Sequence, residues 1–245
     1  MYIIFLLLLI SLICLVRYNK EHFKPDSFNV YIINLEKDKD RILKLGNQLK
    51  QHGINYNRFN AVDGKKYYKY RSLDRKYISK NFKKKYNNSQ KACLLSHINL
   101  WDKIKNKKNY TLILEDDAVI PKYLFGRIRD VMGELPKDWG FLFIGGNRIY
   151  GNKYSKHLVT PIVSSNNNFG MFAYIVNPQK IKEIITKCKD IKVTIDWFIQ
   201  SELSKQFRIF FTNPQIITHD YNNISNLTGK NRIKETENNN KIIIK

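Results

Sequence analysis

The chain has 245 residues, of which 43% are hydrophobic, and it carries a formal net charge of +22. This length and apolar content are typical of one globular domain with a full core, and they exclude an intrinsically disordered chain. The charge points first to nucleic acid, but it is spread over the whole chain, as an AT-biased genome would produce. No helix-turn-helix spacing, Cys/His finger or RNA-binding signature accompanies it. A basic surface can still help to hold an anionic nucleotide or an anionic membrane.

The first residues, from Tyr2 to Val16, are almost continuously apolar. As a helix this segment would be roughly 23 Å long, which is short for a hydrocarbon core of about 30 Å but suits a thin membrane. We predict a single-pass transmembrane anchor over residues 1–18 and a linker over residues 19–27. A signal peptide is the alternative, although a basic leading region and an Ala-x-Ala-like cleavage site are missing. Positive charge after the segment favours a cytosolic catalytic domain over a luminal one.

A strand-helix-strand pattern begins after the linker. The apolar run Phe28–Leu35 predicts a strand, residues 36–50 have helical spacing, and Tyr56–Phe59 predicts a second strand. This βαβ unit indicates a parallel sheet with covering helices. Residues 65–88 are rich in Lys and Tyr without clear periodicity, so we predict a mobile basic loop. Ser89 is predicted to cap the helix that follows.

Three consecutive acids follow a short apolar run that begins at Thr111. The apolar run predicts a strand covered on both faces, and adjacent carboxylates at its end repel one another unless a cation neutralises them. In extended backbone Glu115 and Asp117 project to one side and Asp116 to the other. Glu115 and Asp117 could therefore hold Mg²⁺ or Mn²⁺ while Asp116 holds a ribose hydroxyl. A solvated acidic turn is the alternative.

The second half of the chain predicts further alternation of strands and helices. Strands are predicted at 139–146, 158–163, 169–176 and 208–211, and helices start at Pro121, at Pro178 and near Asp196. Asp196 could simply cap its helix. The segment 229–245 is predicted to be a disordered tail.

The cysteines are Cys14, Cys93 and Cys188. Cys14 lies in the apolar N-terminal segment, so at most one internal disulfide is possible. Their spacing does not match a Cys/His metal framework, and reduced thiols are predicted.

Taken in chain order, the strands, helices and motifs between residues 28 and 228 resemble glycosyltransferase family 25. This family includes lipopolysaccharide β-galactosyltransferases and collagen galactosyltransferase-like proteins. The resemblance rests on Tyr31–Leu35 with Asp40–Arg41, Arg58–Gly64, Ala92–His97, Leu112–Asp117, Gly170 with Tyr174, Asp196–Trp197, and Pro214 ahead of Ser225. One departure is Ala92, where the family usually has Gly. The AT-biased form with a short anchor also looks like homologues in large DNA viruses.

The resemblance implies a GT-A-type, Rossmann-like α/β domain with a mostly parallel central sheet that binds a nucleotide sugar. It implies metal-dependent transfer of a hexose, most often galactose, from a UDP-sugar with inversion, using Mn²⁺ or Mg²⁺. The nucleotide-sugar-binding candidates are Asn34, Leu35, Arg41, Asp63, Ser96, His97, Asp116 and Gly170. The metal candidates are Glu115, Asp117 and His219, with a surface-loop histidine as the alternative for His219. Asp196 is the candidate base that takes the proton of the acceptor hydroxyl.

The expected partners are a UDP-sugar, a glycan, lipid-linked or protein acceptor, and a membrane contacted by the N-terminal segment. Two other functions stay open. One is an anchored, catalytically inactive glycan-binding protein of the same fold, against which the intact acidic triplet argues. The other is a basic nucleic-acid-binding or nucleotidyl-transfer protein, which is disfavoured because the sequence has neither a P-loop nor a second acidic pair.

Overall fold

The computed structural model describes residues 4–6, 28–146, 149–163, 170–220 and 242–244. Its strands are β1 Phe28–Asn34, β2 Asn57–Asn60, β3 Tyr110–Glu115, β4 Ala118–Val119, β5 Trp139–Gly145, β6 Ile149–Lys153, β7 Leu158–Pro161, β8 Ala173–Val176, β9 Arg208–Thr212, β10 Thr218–His219 and β11 Ile242–Ile244. Its helices are α1 Lys39–Gln51, α2 Arg71–Tyr77, α3 Lys80–Lys85, α4 Asn88–Ile104, α5 Leu124–Met132, α6 Ile181–Lys187 and α7 Ile195–Ser201, with 3-10 helices at Gly64–Tyr70 and Leu203–Lys205.

Nine strands form one sheet in the order β11-β6-β7-β9-β5-β8-β3-β1-β2, and β4 pairs with β10 in a separate ladder. Within this sheet β7 and β8 run antiparallel to their neighbours, so the other seven strands point in one direction. The prediction of an α/β fold with a mostly parallel sheet is therefore confirmed. β1, β2 and β3 are all parallel, as the βαβ opening requires.

Strand β3 lies in the middle of the core. Its residues Leu112, Ile113 and Leu114 are each 0% exposed. Ile113 packs into the cluster that contains Trp101 of α4, whereas Leu112 and Leu114 pack into the cluster that contains Leu45 of α1. Fully burying such a side chain contributes about 1.5–3 kcal/mol. The sheet is covered on both faces, and this burial holds the acidic turn after β3 in place.

The prediction of a mobile basic loop over residues 65–88 is wrong, because this segment forms a 3-10 helix followed by α2 and α3. Its aromatic residues Tyr67, Tyr77 and Phe82 are buried. The Tyr67 hydroxyl donates a hydrogen bond to Asp74 at 2.8 Å, and Ser79 caps α3 by accepting from the Phe82 N–H at 3.1 Å. Helices of six or seven residues contain too few turns to show periodicity in the sequence.

The start of α4 also differs from the prediction. Asn87, not Ser89, caps it: the Asn87 side chain accepts from the Gln90 N–H at 2.9 Å, and the Gln90 side chain accepts from the Asn87 N–H at 3.0 Å. This reciprocal capping box satisfies two backbone donors that the helix itself cannot pair. The start of α4 is therefore firmly held, which matters because α4 forms one wall of the cleft described below.

Other boundaries shift for local reasons. Helix α5 begins at Leu124 rather than at Pro121, after Tyr123 in a left-handed conformation with φ 63°. β6 was not predicted. Part of the predicted tail, residues 242–244, is a strand that pairs with β6, while the rest of that tail lies outside the described residues.

The predicted anchor, residues 1–18, lies outside the described part of the chain except for residues 4–6. Among the helices that the structure describes, none has both the length and the apolar character needed to cross a bilayer. The predicted linker, residues 19–27, likewise lies outside the described residues.

The half-buried carboxylate of Glu134 holds the loop between β6 and β7 in place. Glu134 accepts hydrogen bonds from the Ser155 hydroxyl, from the His157 N–H at 3.0 Å and from the His157 ring at 2.5 Å. Burial alone would raise the pKa of Glu134, but these hydrogen bonds outweigh it and lower the pKa. Because the folded-state pKa is depressed, this carboxylate stabilises the fold above its unfolded pKa, and that stability is lost as the pH falls through the folded pKa.

Replacing Glu134 with glutamine should therefore lower the free energy of unfolding by about 1–2 kcal/mol at pH 7, since it weakens charge-assisted hydrogen bonds. The difference between parent and variant should shrink below about pH 4, where the carboxyl group becomes protonated. Urea unfolding of both proteins at several pH values measures this. Asp138→Asn is the matched control, because Asp138 is exposed and its ion pair with Arg208 spans 3.4 Å. An equal loss at pH 7 and at pH 3 would contradict the electrostatic account.

Candidate functional site

A cleft opens at the carboxyl ends of β1, β2 and β3, where open α/β sheets bind their ligands. It contains about 820 Å³ of empty space, part of it open to solvent. The residues that line it come from the ends of β1, β2 and β3 and from the helices beside them: Ile33, Leu35, Lys37, Arg41, Ala61, Val62, Asp63, Gly64, Lys65, Ser89, Ala92, Cys93, Ser96, His97, Glu115, Asp116 and Asp117. The sheet topology thus brings together eight predicted site residues from separate parts of the sequence.

Asp116 is held by a polar network across two strands. Its carboxylate accepts from the Asn34 amide at 2.7 Å and from the Arg41 guanidinium at 3.2 Å. Arg58 in turn donates to the Asn34 side-chain oxygen at 2.9 Å. Burial raises the pKa of Asp116, although the Asn34 hydrogen bond and the Arg41 charge act in the opposite direction. This network keeps the acidic turn rigid, and Arg58 is a residue of it that the sequence analysis did not propose as a site residue.

Glu115 points toward α4 and meets a buried relay of hydrogen bonds. Its Oε1 lies 3.3 Å from His97 Nε2, and His97 Nδ1 lies 2.8 Å from the Tyr174 hydroxyl. The Trp101 indole donates to the same hydroxyl at 2.9 Å. Because the hydroxyl accepts from Trp101, its own proton can go to His97 Nδ1, which leaves Nε2–H to donate to Glu115. Burial raises the pKa of Tyr174 well above its ordinary value, so the phenol stays protonated.

Replacing Tyr174 with phenylalanine should lower the free energy of unfolding by about 2 kcal/mol, because a buried indole N–H and a buried imidazole nitrogen would each lose a partner. Trp101 and His97 are 0% and 1% exposed, so water cannot readily take the place of the hydroxyl. Urea unfolding measures the change. Tyr68→Phe is the control, since Tyr68 is 63% exposed. Equal stability of the two variants would show that the relay does not stabilise the fold.

The acidic triplet does not continue the strand as expected. β3 ends at Glu115, and Asp116 and Asp117 form a turn before β4. The predicted alternation of side chains along extended backbone is therefore wrong for Asp117, although Glu115 and Asp116 do point to different neighbours. Asp117 is only 4% exposed. This burial also rules out, for Asp117, the alternative of a solvated acidic turn.

His219 lies beside this turn. In the β4–β10 ladder it pairs with Ala118, and the Asp220 N–H donates to the Asp117 carbonyl at 2.7 Å. His219 is 7% exposed, and its ring meets the Phe172 ring edge-on with 4.8 Å between centroids. The alternative of a surface-loop histidine is thus wrong. Its role as a metal ligand stays a prediction.

The metal candidates converge only in part. Within the described residues, the group whose ligand atoms all lie within 4.8 Å of one another is Cys93, His97 and Glu115. The ligand atoms of the predicted trio, Glu115, Asp117 and His219, do not all lie within this distance of one another, because the Glu115 side chain points toward His97. Asp117 and His219 still lie on adjacent segments, and a buried carboxylate with an imidazole is a donor set that Mn²⁺ accepts. These two residues therefore fit a divalent cation better than the full trio does.

Hydrogen bonds within the chain also hold the α4 wall of the cleft to the loop after β2. The Ser96 hydroxyl accepts from the Val62 N–H at 2.9 Å and donates to the Ala92 carbonyl at 2.7 Å. Ser96 thereby fastens the loop after β2 to α4, which is a positioning role. Asp63 accepts from the Lys65 N–H at 2.9 Å and caps the 3-10 helix. Both residues line the cleft, and their polar atoms have partners within the protein, while their binding of a nucleotide sugar stays a prediction.

Asp196 and Gly170 are not in the cleft lining. Asp196 lies on α7, which contacts α4, the helix that carries Cys93. Burial raises the pKa of the Cys93 thiol, and the charges of Glu115, Asp196 and Asp117 raise it further. The cap of α7 is Thr194, so the interpretation of Asp196 as a helix cap is wrong. Gly170 has φ +56° and precedes β8.

Cys93 is a site residue that the sequence analysis missed. It lines the cleft as a free thiol, and the prediction of reduced cysteines is confirmed for Cys93 and Cys188. The available signal was its spacing of four residues from His97, which places both side chains on one helical face.

The fold and the cleft define an α/β protein with an acidic ligand site at the carboxyl ends of parallel strands. The chain belongs to glycosyltransferase family 25: residues 28–158 match the sequence model of "Glycosyltransferase family 25 (LPS biosynthesis protein)". This match includes β1, the acidic turn and α4, and thus most of the cleft.

Relatives agree with this assignment. The chain is 25% identical over 168 residues to a "Glycosyltransferase 25 family member" of Aedes aegypti, covering 64% of this chain and 28% of that protein. It is 22% identical over 182 residues to "Procollagen galactosyltransferase 1-A" of Xenopus laevis, covering 66% of this chain and 29% of that protein. The chain thus spans less than a third of the curated relatives it matches. A viral origin stays a prediction.

Among solved structures, one match is a glycosyltransferase involved in the glycosylation of the major capsid of PBCV-1. The TM-score is 0.30 with 8% identity, and the alignment covers 71% of this chain and 67% of that chain.

Proposed function

We propose that this protein is a glycosyltransferase that moves a hexose, with galactose as the first candidate, from a UDP-sugar to a glycan, lipid-linked or protein acceptor with inversion. The observation that carries the proposal is the cleft at the ends of β1 and β3, in which the acidic turn lies beside Arg41. Membership of glycosyltransferase family 25 supports transfer of a sugar. The name of the Xenopus relative supports galactose.

The residues of the cleft suit a nucleotide diphosphate. Arg41, Lys37 and Lys65 line it and supply positive charge for phosphate oxygens. Asp116, held by Asn34 and Arg41, is the proposed acceptor for a ribose hydroxyl. Its fixed orientation means that little freedom is lost when a ligand binds.

Asp117 and His219 are the proposed ligands of Mn²⁺ or Mg²⁺. When bound, such an ion neutralises the diphosphate and acts as a Lewis acid for the departing UDP. The buried carboxylates of the acidic turn supply the negative charge that would hold the ion. Glu115 then supports the site from the side of His97.

Inversion places the acceptor on the sugar face opposite UDP. The acceptor oxygen forms a bond to the anomeric carbon, its proton passes to the Asp196 carboxylate, and UDP leaves with the electron pair of the broken bond. Asp196 suits this role because it belongs to α7, a different segment from the acidic turn, and α7 contacts α4, which forms one wall of the cleft.

The test is UDP release by the purified full chain with Mn²⁺, UDP-galactose or another UDP-sugar, and a panel of glycan, lipid-linked and peptide acceptors. We expect acceptor-dependent UDP release with at least one donor, and its loss on chelation of the metal. Binding of UDP-sugar without release under any condition would favour the inactive glycan-binding protein. Turnover of nucleic acid without a sugar donor would favour the nucleotidyl-transfer alternative.

A further inference from the structure

A thiol, an imidazole and a carboxylate converge in one wall of the cleft. The ligand atoms of Cys93, His97 and Glu115 all lie within 4.8 Å of one another, and all three residues line the cleft. Sulfur, imidazole nitrogen and carboxylate oxygen are the ligand types of zinc proteins. A thiolate favours Zn²⁺ strongly over Mn²⁺ or Mg²⁺, which prefer oxygen.

The spacing of two of these atoms already matches a zinc site. His97 Nε2 and Glu115 Oε1 are 3.3 Å apart. In the metal-free protein these atoms form a long hydrogen bond, because N–H···O bonds are usually about 2.7–3.2 Å long. Two ligands bound tetrahedrally at about 2.0–2.1 Å from zinc lie roughly 3.3 Å apart. An ion can therefore enter between them with small side-chain rotations.

The protein holds the three ligands in place before any ion binds. Cys93 and His97 are four residues apart on α4, whose start is fixed by its capping box. The Tyr174 hydroxyl at His97 Nδ1 turns the other ring nitrogen toward Glu115. Partners of this kind orient metal ligands in known sites. With zinc on Nε2, the neutral ring carries its proton on Nδ1 and donates it to the Tyr174 oxygen.

The surroundings favour a cation. Asp117 lines the same cleft, and Asp196 lies on α7, which contacts α4. Two carboxylates of the lining, Glu115 and Asp117, thus belong to one short segment, whereas the cations Lys37, Arg41 and Lys65 come from other segments. A divalent ion bound by the Cys93 thiolate and the Glu115 carboxylate would be neutralised by these two charges.

We propose that Cys93, His97 and Glu115 bind Zn²⁺ with water as the fourth ligand, and that zinc bound there inhibits sugar transfer by occupying the cleft beside the acidic turn. Binding releases the thiol proton of Cys93 to solvent and involves no change of oxidation state. The inhibitory part rests on the proposed glycosyltransferase function, whereas the binding part does not.

Cobalt titration of the full chain tests the binding directly. Co²⁺ at one equivalent should produce a thiolate-to-cobalt charge-transfer band, and Zn²⁺ should remove it by displacement. Cys93→Ser should abolish the band and weaken zinc binding by at least about 100-fold, since loss of a ligand costs no less than loss of its supporting partner. Cys188→Ala and Cys14→Ala are the controls and should keep the band. A band that persists in Cys93→Ser, or that disappears in either control, would overturn the site.

Alkylation of the parent protein gives a second measurement that needs no variant. Zn²⁺ should protect Cys93 from iodoacetamide, and mass spectrometry of the Cys93 peptide reports the protected fraction. Mn²⁺ at the same concentration should protect far less. Equal modification with and without Zn²⁺ would contradict the proposal even if Cys93→Ser failed to fold.

UDP release with excess Mn²⁺ tests the inhibition. The parent rate should fall in proportion to the fraction of the zinc site that is occupied, and a chelator selective for zinc should restore it. Cys93→Ser, compared with its own zinc-free rate, should resist zinc. Zinc binding without inhibition would overturn the inhibitory part, while absence of UDP release without zinc would instead count against the proposed function.

Discussion

Replacing Asp117 with asparagine is expected to lower the metal-dependent rate of sugar transfer by about 10³-fold or more. The amide has nearly the shape of the carboxylate but no charge, so it binds a divalent cation far more weakly. A metal ion contributes several kcal/mol of charge stabilisation, and each 1.36 kcal/mol corresponds to a tenfold change in rate. The measurement is UDP release over a range of Mn²⁺ concentrations, in which the variant should need much more Mn²⁺ or show no activation.

Stability separates this effect from misfolding. Asp117 is buried beside Glu115 and Asp116, so removing its charge relieves repulsion in the metal-free protein. Asp117→Asn should therefore unfold at the same temperature as the parent or at a higher one. Asp130→Asn is the matched control, because the Asp130 side chain is 62% exposed. A variant that keeps more than a third of the parent rate would remove Asp117 from the metal site.

Replacing Asp196 with asparagine is expected to lower kcat by about 10²- to 10⁴-fold, the usual contribution of a positioned base. The affinity for the UDP-sugar should change little, because Asp196 is not part of the cleft lining that would hold the donor. Steady-state kinetics with the donor varied, together with a direct measurement of UDP-sugar binding, separates the two quantities. The asparagine side chain keeps the size of the residue but cannot take the acceptor proton.

Glu183→Gln is the matched control for this experiment. Glu183 and Asp196 are both acids in the first turn of a seven-residue helix, α6 and α7 respectively. Each substitution removes the same favourable interaction with the helix dipole, about 0.3–1 kcal/mol. Both variants should thus lose similar stability, and only Asp196→Asn should lose turnover. Normal turnover by Asp196→Asn would place the base elsewhere.

The sequence predicted those structural features that depend on residues adjacent in the chain. The continuous apolar run of β3 correctly indicated a strand buried on both faces, and the βαβ pattern correctly indicated that β1 and β2 are parallel. Gly53, a residue type that commonly follows a helix end, comes directly after the C-cap His52 of α1 and adopts φ +68°. The same local signals were too weak for α2 and α3, because each is shorter than two full periods of an amphipathic pattern.

The sequence by itself thus determined the class of fold and which segments deliver polar residues to the cleft, since periodicity and end signals are local properties. Only the tertiary structure decided which of these residues face one another. Asn34 meets Asp116 across 82 positions, and His97 meets Tyr174 across 77. The position of a side chain after the end of a strand depends on the turn that follows and on distant packing partners. For that reason Glu115 lies with Cys93 and His97, while Asp117 lies beside the His219 strand.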